Sequence, residues 1–354
     1  MPRPKKSAPR DSAASARPAT RRATRRDVAR AAGVSLTTVT HAFNPPPGIH
    51  VKESTVRHIR AVAQELGYCP SFVGRALSTG RTFMVGILYP TFSLRYDLYQ
   101  SIIQGMVTVM EPENYHPMLL FRTDEARYLN VIHEGRIDGM FIIQSDLSTD
   151  HIARVVASGI PTVVVNKHID VPPSGPVGCV HSDHDRLMDE VIDEFVAAGC
   201  KTIVELNGHG NNDANTRMFT AFGMAVARQA GAGVVGTTII PQEQGLSDQL
   251  RKHFQAGHRW DGVFIDGPYM AEQFADVALE FGMQVGRDYR LITSSVIDGV
   301  TTSRRIEDSA YTHTPEVVGR AAWALMDRLI RGESVDRAQR LVLVPYKRHP
   351  VRVA

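Results

Sequence analysis

Ser35, Leu36, Thr37, Thr38 and His41 crowd around one apolar anchor, Val39. On a helix, Leu36, Thr37 and His41 project outward near its start, where side chains can meet base edges in a major groove. Ser35 or Thr38 would then reach phosphate, a contact that positions the protein without reading sequence. A second set of polar residues closes apolar, strand-like runs: Thr91, Arg122, Asn166, Asp266, Ser295 and His313. Parallel sheets hold small ligands beyond their strands' carboxyl ends, so these residues are candidates for binding one. The run "HSDHD" (181–185) has the residue types of a metal site, but it falls at an expected strand-to-helix junction. Asp183 and Asp185 suit capping better there, and neither a metal nor a cofactor is expected. The sequence contains no GxSxG elbow, P-loop or HExxH, and "GHGNND" (208–213) lacks dinucleotide spacing, so no enzyme activity is expected.

The elements that must position the first set are short helices. Thr24 can cap a helix whose third residue is Asp27, a capping-box arrangement with the carboxylate at the positive helix end. Val28, Ala29 and Ala32 form its apolar stripe, and Gly33 supplies the left-handed turn that ends it. Ser35 then caps a second helix to about Phe43, with Val39 and Phe43 facing the first and Asn44 at its end. This is the pattern of a helix-turn-helix; an αα-hairpin with no DNA role is the alternative. In "ESTVRHIRAVAQELGYCP", Val56, Ile59, Val62, Ala63 and Leu66 share one face of a third helix that Gly67 ends.

Charge is segregated in the same way. Residues 1–81 carry 15 Lys/Arg against four acids, a balance of +11 within a chain whose net charge is +3, so the remainder carries −8. A polyanion partner for the N-terminal part alone follows. Residues 1–22, rich in Pro, Ala, Ser and Arg, read as a disordered basic tail, with a merely solvated tail as the alternative. That segment lacks the apolar stretch of a secretory signal, and no apolar run approaches the roughly 20 residues of a membrane span. The expected location is the cytoplasm, at the nucleoid. Three widely spaced cysteines without CxxC spacing argue against disulfides and zinc ribbons.

Over "TRRDVARAAGVSLTTVTHAFN", then Val51 and Thr55, then "ELGYCP", "GRALSTGRT" and "VGILYP", the chain resembles the LacI family of bacterial transcription regulators. The resemblance implies a homodimer on a palindromic double-stranded DNA operator, acting as an effector-controlled repressor. It also implies a hinge from about Ser71 to Ser78, helical only on operator, that inserts Leu77 into the minor groove. Several residues depart from the family pattern. Gly74 replaces a usual alanine, His41 a frequent arginine and Lys52 a usual Ser/Thr cap, while "NPPPGIHV" is a longer loop. Operator sequence therefore does not carry over in detail.

Beyond Phe83, ten apolar strand runs alternate with helical stretches such as 97–110, 184–198, 214–230, 270–282 and 315–331. That alternation means parallel sheets, enough for two. The resemblance implies a periplasmic-binding-protein-like core, with chain passages between halves near 181–184, 309–313 and 341–344. The expected organisation is a helix-turn-helix domain at 23–67, a hinge at 68–81 and a core at 82–354. Within that core, the N-subdomain covers about 82–181 and 313–342, and the C-subdomain about 182–310 and 343–354. Arg217 holds the place of a family arginine that hydrogen-bonds the effector. Asn166 stands where aspartate is usual, Gly267-Pro268 where an Asn-Asp pair would sit, and serines at 294–295. Carboxylate–diol pairing is thereby weakened, which leaves open whether the effector is sugar-related or absent. A small-molecule binding protein or enzyme with an incidental N-terminal module is the reading from another class.

Overall fold

The computed structural model describes residues 23–45, 48–89, 97–121, 125–143, 149–172, 174–207, 213–241, 245–295, 304, 306–312 and 314–350. The expected basic tail, Thr91, Arg122 and His313 lie outside them. Up to Arg81, and from Thr82 on, the chain forms two separately compact units.

The first unit holds α1 (Arg25–Ala31), α2 (Leu36–Phe43), α3 (Glu53–Glu65) and α4 (Phe72–Thr79). Local chemistry sets most of these ends. Thr24 Oγ1 accepts from Asp27 N while the Asp27 carboxylate accepts from Thr24 N at 2.9 Å, which satisfies two otherwise orphaned N–H groups at the start of α1. Gly33 at φ 64° closes the helix, with Gly33 N donating to Arg30 O and Val34 N to Ala29 O. The same paired-bond turn ends α3 at Gly67, where Gly67 N donates to Gln64 O and Tyr68 N to Ala63 O. α3 begins at Lys52 without a side-chain cap.

Small residues make the core of this unit: Val28, Ala29, Ala32, Val39, Ala42, Ile59 and Ala63. Leu66 is 41% exposed and does not join them, contrary to the helical pattern. The chain reverses at Gly67, and Tyr68 covers that edge of the core by packing edge-on against Phe43 with ring centroids 5.8 Å apart.

The second unit contains two six-stranded sheets. Its first half comprises β1 (Met84–Tyr89), α5 (Asp97–Met110), β2 (His116–Phe121), α6 (Glu125–His133), β3 (Gly139–Ile143), α7 (Thr149–Ala157), β4 (Thr162–Val165) and β5 (Val177–Ser182). The chain then enters α8 (His184–Ala197), β6 (Thr202–Leu206), α9 (Asp213–Arg228), β7 (Val235–Ile239), α10 (Leu246–Gln255), β8 (Gly262–Asp266), α11 (Pro268–Glu280), β9 (Arg290–Ser295) and β10 (Ser309–Thr312). It returns through α12 (Pro315–Ile330) and β11 (Leu341–Val344), and ends with β12 (Lys347–Pro350). One sheet is ordered β11-β5-β4-β3-β1-β2 and wholly parallel. The other is ordered β12-β10-β9-β8-β6-β7 and parallel except for β12.

Each sheet is covered on both faces, as parallel sheets require. α5 and α12 pack with Val85, Ile87, Phe141, Val163 and Val180 on one face of the first sheet; α6 and α7 cover Leu88, Met140, Ile142 and Val164 on the other. α8 and α9 cover Ile203, Phe264 and Ile292 of the second sheet, and α10 and α11 its opposite face. α5 and α12 meet backbone to backbone: a Cβ on Gly105 would collide with Glu316, and one on Gly319 with Ile102.

The chain passes between sheets after β5, after β10 and after β11. The last passage lies at 345–346, beyond the expected 341–344, because Val344 still pairs with Ser182 of β5. β10 and β12 were not among the ten strands read from the sequence. Ser309-Ala-Tyr-Thr lacks a branched apolar run, and Lys347-Arg-His-Pro is a charged edge whose strand state comes from antiparallel pairing with β10.

Candidate DNA interface and candidate effector site

Ser35 fixes the start of α2. Its Oγ accepts from Thr38 N at 3.0 Å and shares a 2.8 Å hydrogen bond with Thr38 Oγ1. With Val39 and Ala42 turned into the core, Ser35, Leu36 (43% exposed) and Thr37 face outward, His41 lies half-buried beside them, and Asn44 is exposed at the helix end. Thr24 has a different position from these: its hydroxyl is spent on Asp27, at 2.6 Å from Oδ2, so what it offers outward is the start of α1.

Arg25 was missed by the sequence reading. Its Nη1 donates to Thr40 Oγ1 at 3.1 Å, and its Nη2 lies 3.6 Å from where a Cβ on Gly74 would stand. One guanidinium thus bonds α2 and lies beside the hinge. No signal within either segment announces that arrangement, because it brings together residues 15 and 49 positions apart.

The hinge is the helix α4. Ser71 Oγ caps Gly74 N at 3.3 Å, and Gly80 at φ 68° ends it. No residue of α4 is buried; Phe72 and Val73 are exposed and Leu77 is 82% exposed. An eight-residue helix is too short to be stable on propensity, and this one has only Gly74, Arg75 and Ala76 half-buried. An exposed apolar row on such a helix is a contact surface.

In the second unit, the strands' carboxyl ends carry the other candidate residues. Asn166 follows β4 with a left-handed φ of 56° and donates from its N–H to Val180 O at 2.9 Å. Asp266 ends β8 and accepts from Ser294 Oγ of the adjoining β9; burial holds its carboxyl above the ordinary range, against that hydrogen bond. Arg217 in α9 pairs with Asp185 of α8 at 3.3 Å, its side chain about one-third exposed. The side chain of Ser295 lies outside the described residues. The structure therefore arrays Asn166, Arg217 and Asp266 at strand or helix ends of the two halves.

Two further groups are buried there. His181, 5% exposed at the end of β5, bonds through Nδ1 to Ser182 O at 2.8 Å and approaches the His168 ring edge-on at 5.6 Å. Burial, with the charges of Arg217 and His168, pulls its pKa down, against that main-chain bond and Asp183. Glu205 in β6 is fully buried; its Oε2 accepts from Thr238 Oγ1 at 3.0 Å, and Oε1 has no partner among the described residues. Desolvation, with Asp266 nearby, pushes its carboxyl up to about 7 despite the Thr238 bond.

Within "HSDHD", Asp183 caps α8 by accepting from Arg186 N at 3.1 Å, and His184 Nδ1 bonds Tyr346 Oη at 3.1 Å. Among the described residues no group of three or more His, Cys, Asp or Glu could hold a metal ion, and no helix is long and apolar enough to cross a membrane.

Comparison with known proteins agrees with this arrangement. The family model for bacterial regulatory proteins of the lacI family matches residues 24–71. That for periplasmic binding proteins and the sugar binding domain of the LacI family matches 82–243, and a periplasmic binding protein-like domain matches 192–349. The chain is 22% identical to catabolite control protein A of Priestia megaterium over 330 residues, covering 91% of this chain and 96% of that protein. It is 26% identical to the HTH-type transcriptional repressor PurR of Photobacterium profundum, over 78% of this chain and 83% of that one. These relatives are transcription regulators. In structure it resembles the Lac repressor bound to ONPG, with a TM-score of 0.70 at 17% identity over 92% of this chain and 98% of that one. It also resembles the transcriptional regulator CelR in complex with cellobiose, with a TM-score of 0.59 at 18% identity over 93% and 98%. Both likenesses concern the fold.

Proposed function

The chain belongs to the LacI family of bacterial regulatory proteins and is a DNA-binding transcription regulator, and from that premise we propose that it is an effector-controlled repressor binding a palindromic operator as a homodimer. The observation that carries this is the outward face of α2, where Ser35, Leu36 and Thr37 stand free of the core that Val39 and Ala42 enter. Leu36, Thr37 and His41 read base edges; Ser35, Thr38 and Asn44 engage backbone; Thr24 brings the positive start of α1 to a phosphate. Ser71 starts the hinge helix, and Leu77 enters the minor groove between base steps, where a wedge kinks the duplex.

The effector is a small molecule held at the strand ends by Asn166, Arg217 and Asp266, with Thr91, Arg122, Ser295 and His313 as the further candidates. Its binding changes the spacing of the two hinges in the dimer and so biases their order, coupling the sites through one two-state element. No catalytic step is assigned, and the site of action is the cytoplasmic nucleoid, because the partner is DNA.

Selecting duplexes bound by the full chain from a random pool tests this. Enrichment of a two-half-site palindrome is expected; recovery of sequences no different from the input would overturn it.

A further inference from the structure

The proposed effector site has an uncommitted acceptor. His181 Nε2 is sealed from solvent and has no hydrogen-bond partner among the described residues. Its other ring nitrogen is already committed: Nδ1–H donates to Ser182 O at 2.8 Å. That bond fixes the tautomer, so Nε2 of the neutral ring presents a lone pair and can only accept. Buried polar atoms left unpaired are few in folded proteins and call for an explanation, a ligand among them.

The position of the ring supports a ligand. His181 is the penultimate residue of β5, at the carboxyl end where the chain leaves the first sheet for α8 in the second half. His168, from the segment after β4, meets its ring edge-on at 5.6 Å, and Arg217, from α9 of that second half, pairs at 3.3 Å with Asp185, four residues further along the chain. Of the acids nearby, Asp183 is occupied in capping α8 and Asp185 in pairing with Arg217. Asp266, on the second sheet, already accepts from Ser294, and burial favours its neutral form. Arg217 has five donors and keeps about a third of its side chain exposed while one nitrogen engages Asp185. The surroundings thus pair an acceptor for a hydroxyl with a guanidinium able to grip a carboxylate.

We propose that the effector is a polyhydroxylated carboxylic acid of the sugar-acid class, its carboxylate on Arg217 and a hydroxyl donating to His181 Nε2. This rests on the strand ends being the effector site. It accounts for a chain that lacks the usual carboxylates for gripping a neutral diol, with Asn166 at one strand end and Gly267-Pro268 at another.

Calorimetric titration of the full chain with gluconate, galactonate, glucuronate and galacturonate, beside glucose and galactose at matched ionic strength, tests it. At least one acid should bind at least 10-fold tighter than its neutral parent. His181→Phe keeps an aromatic ring but no acceptor, and should weaken that acid by roughly 3- to 10-fold, the loss of one hydrogen bond. His181→Gln, which retains an acceptor oxygen, should recover part of the loss, and Arg217→Ala should remove the preference for the acid. Binding of none of the six, equal binding of acids and parents, or an acid indifferent to His181→Phe would overturn the assignment. In the last case, loss of binding in Arg217→Ala would still leave the strand ends as the effector site. Indifference to both substitutions would move that site elsewhere, and operator selection would stand apart from either result.

Discussion

Replacing Gly74 by alanine should tighten operator binding, by an amount the structure allows to be worked out. Gly74 is the third residue of α4, and its N–H is held by Ser71 Oγ, a bond that alanine retains. A Cβ there would meet Arg25 Nη2 and Ser71 Cβ at 3.6 Å and Ser71 Oγ at 3.9 Å, all ordinary contacts, so no steric cost offsets the gain. Alanine favours a helix over glycine by about 0.8–1 kcal/mol. If the hinge orders on DNA, two hinges per dimer bring that to about 2 kcal/mol, or roughly 10- to 30-fold in affinity. Fluorescence anisotropy on a selected operator at one fixed salt concentration measures it, since salt alone moves such affinities by decades. Hydrogen exchange across residues 72–79, with and without operator, reports whether the helix forms on binding, and the effector's influence should be blunted in the variant. Unchanged affinity, with the hinge equally protected free and bound, would refute the coupling of hinge folding to binding.

Leu77→Ala should lower operator affinity and reduce DNA bending in a gel-shift assay. Because Leu77 is 82% exposed, the same change should alter the stability of the free protein by no more than about 0.5 kcal/mol. Alanine at Leu36, Thr37 or His41 should each cost about 1–3 kcal/mol at particular base pairs, and a loss uniform across binding sites would show that they touch only backbone. Glu205 makes stability depend on pH: its carboxyl rises from an ordinary 4.5 to about 7 in the folded chain, so the folded state holds the proton more tightly than the unfolded one. Its contribution is favourable below pH 4.5 and lost as pH rises to about 7, on the order of 3 kcal/mol in all. Urea unfolding of Glu205→Gln should accordingly give a flatter stability profile between those pH values, and a profile parallel to the natural chain's would count against a neutral Glu205.

The helix-turn-helix was legible in the sequence because its determinants act within a few residues. Thr24 with Asp27, Gly33 with Ala29 and Ser35 with Thr38 are all separated by three or four positions, and each pair appears in the structure as a bond or a turn. The two parallel sheets were legible through apolar runs such as Phe141–Ile143 and Val163–Val165, which need burial on both faces. What escaped lies in pairings across the chain. Lys347-Arg-His-Pro has no strand pattern and is a strand only because β10 supplies its hydrogen bonds. Leu66 has the right period but no wall to pack on, since Tyr68 occupies that edge of the core. The placing of Arg25, bonded to Thr40 and beside Gly74, depends on how three helices assemble. His181 opens a polar run and Glu205 interrupts an apolar one, and only burial within the folded sheets makes one an uncommitted acceptor and the other a carboxyl that titrates near neutrality. A residue's type and spacing determine which bonds it can make nearby. Its desolvation and distant partners are properties of the packed fold, and they set the chemistry of the effector site.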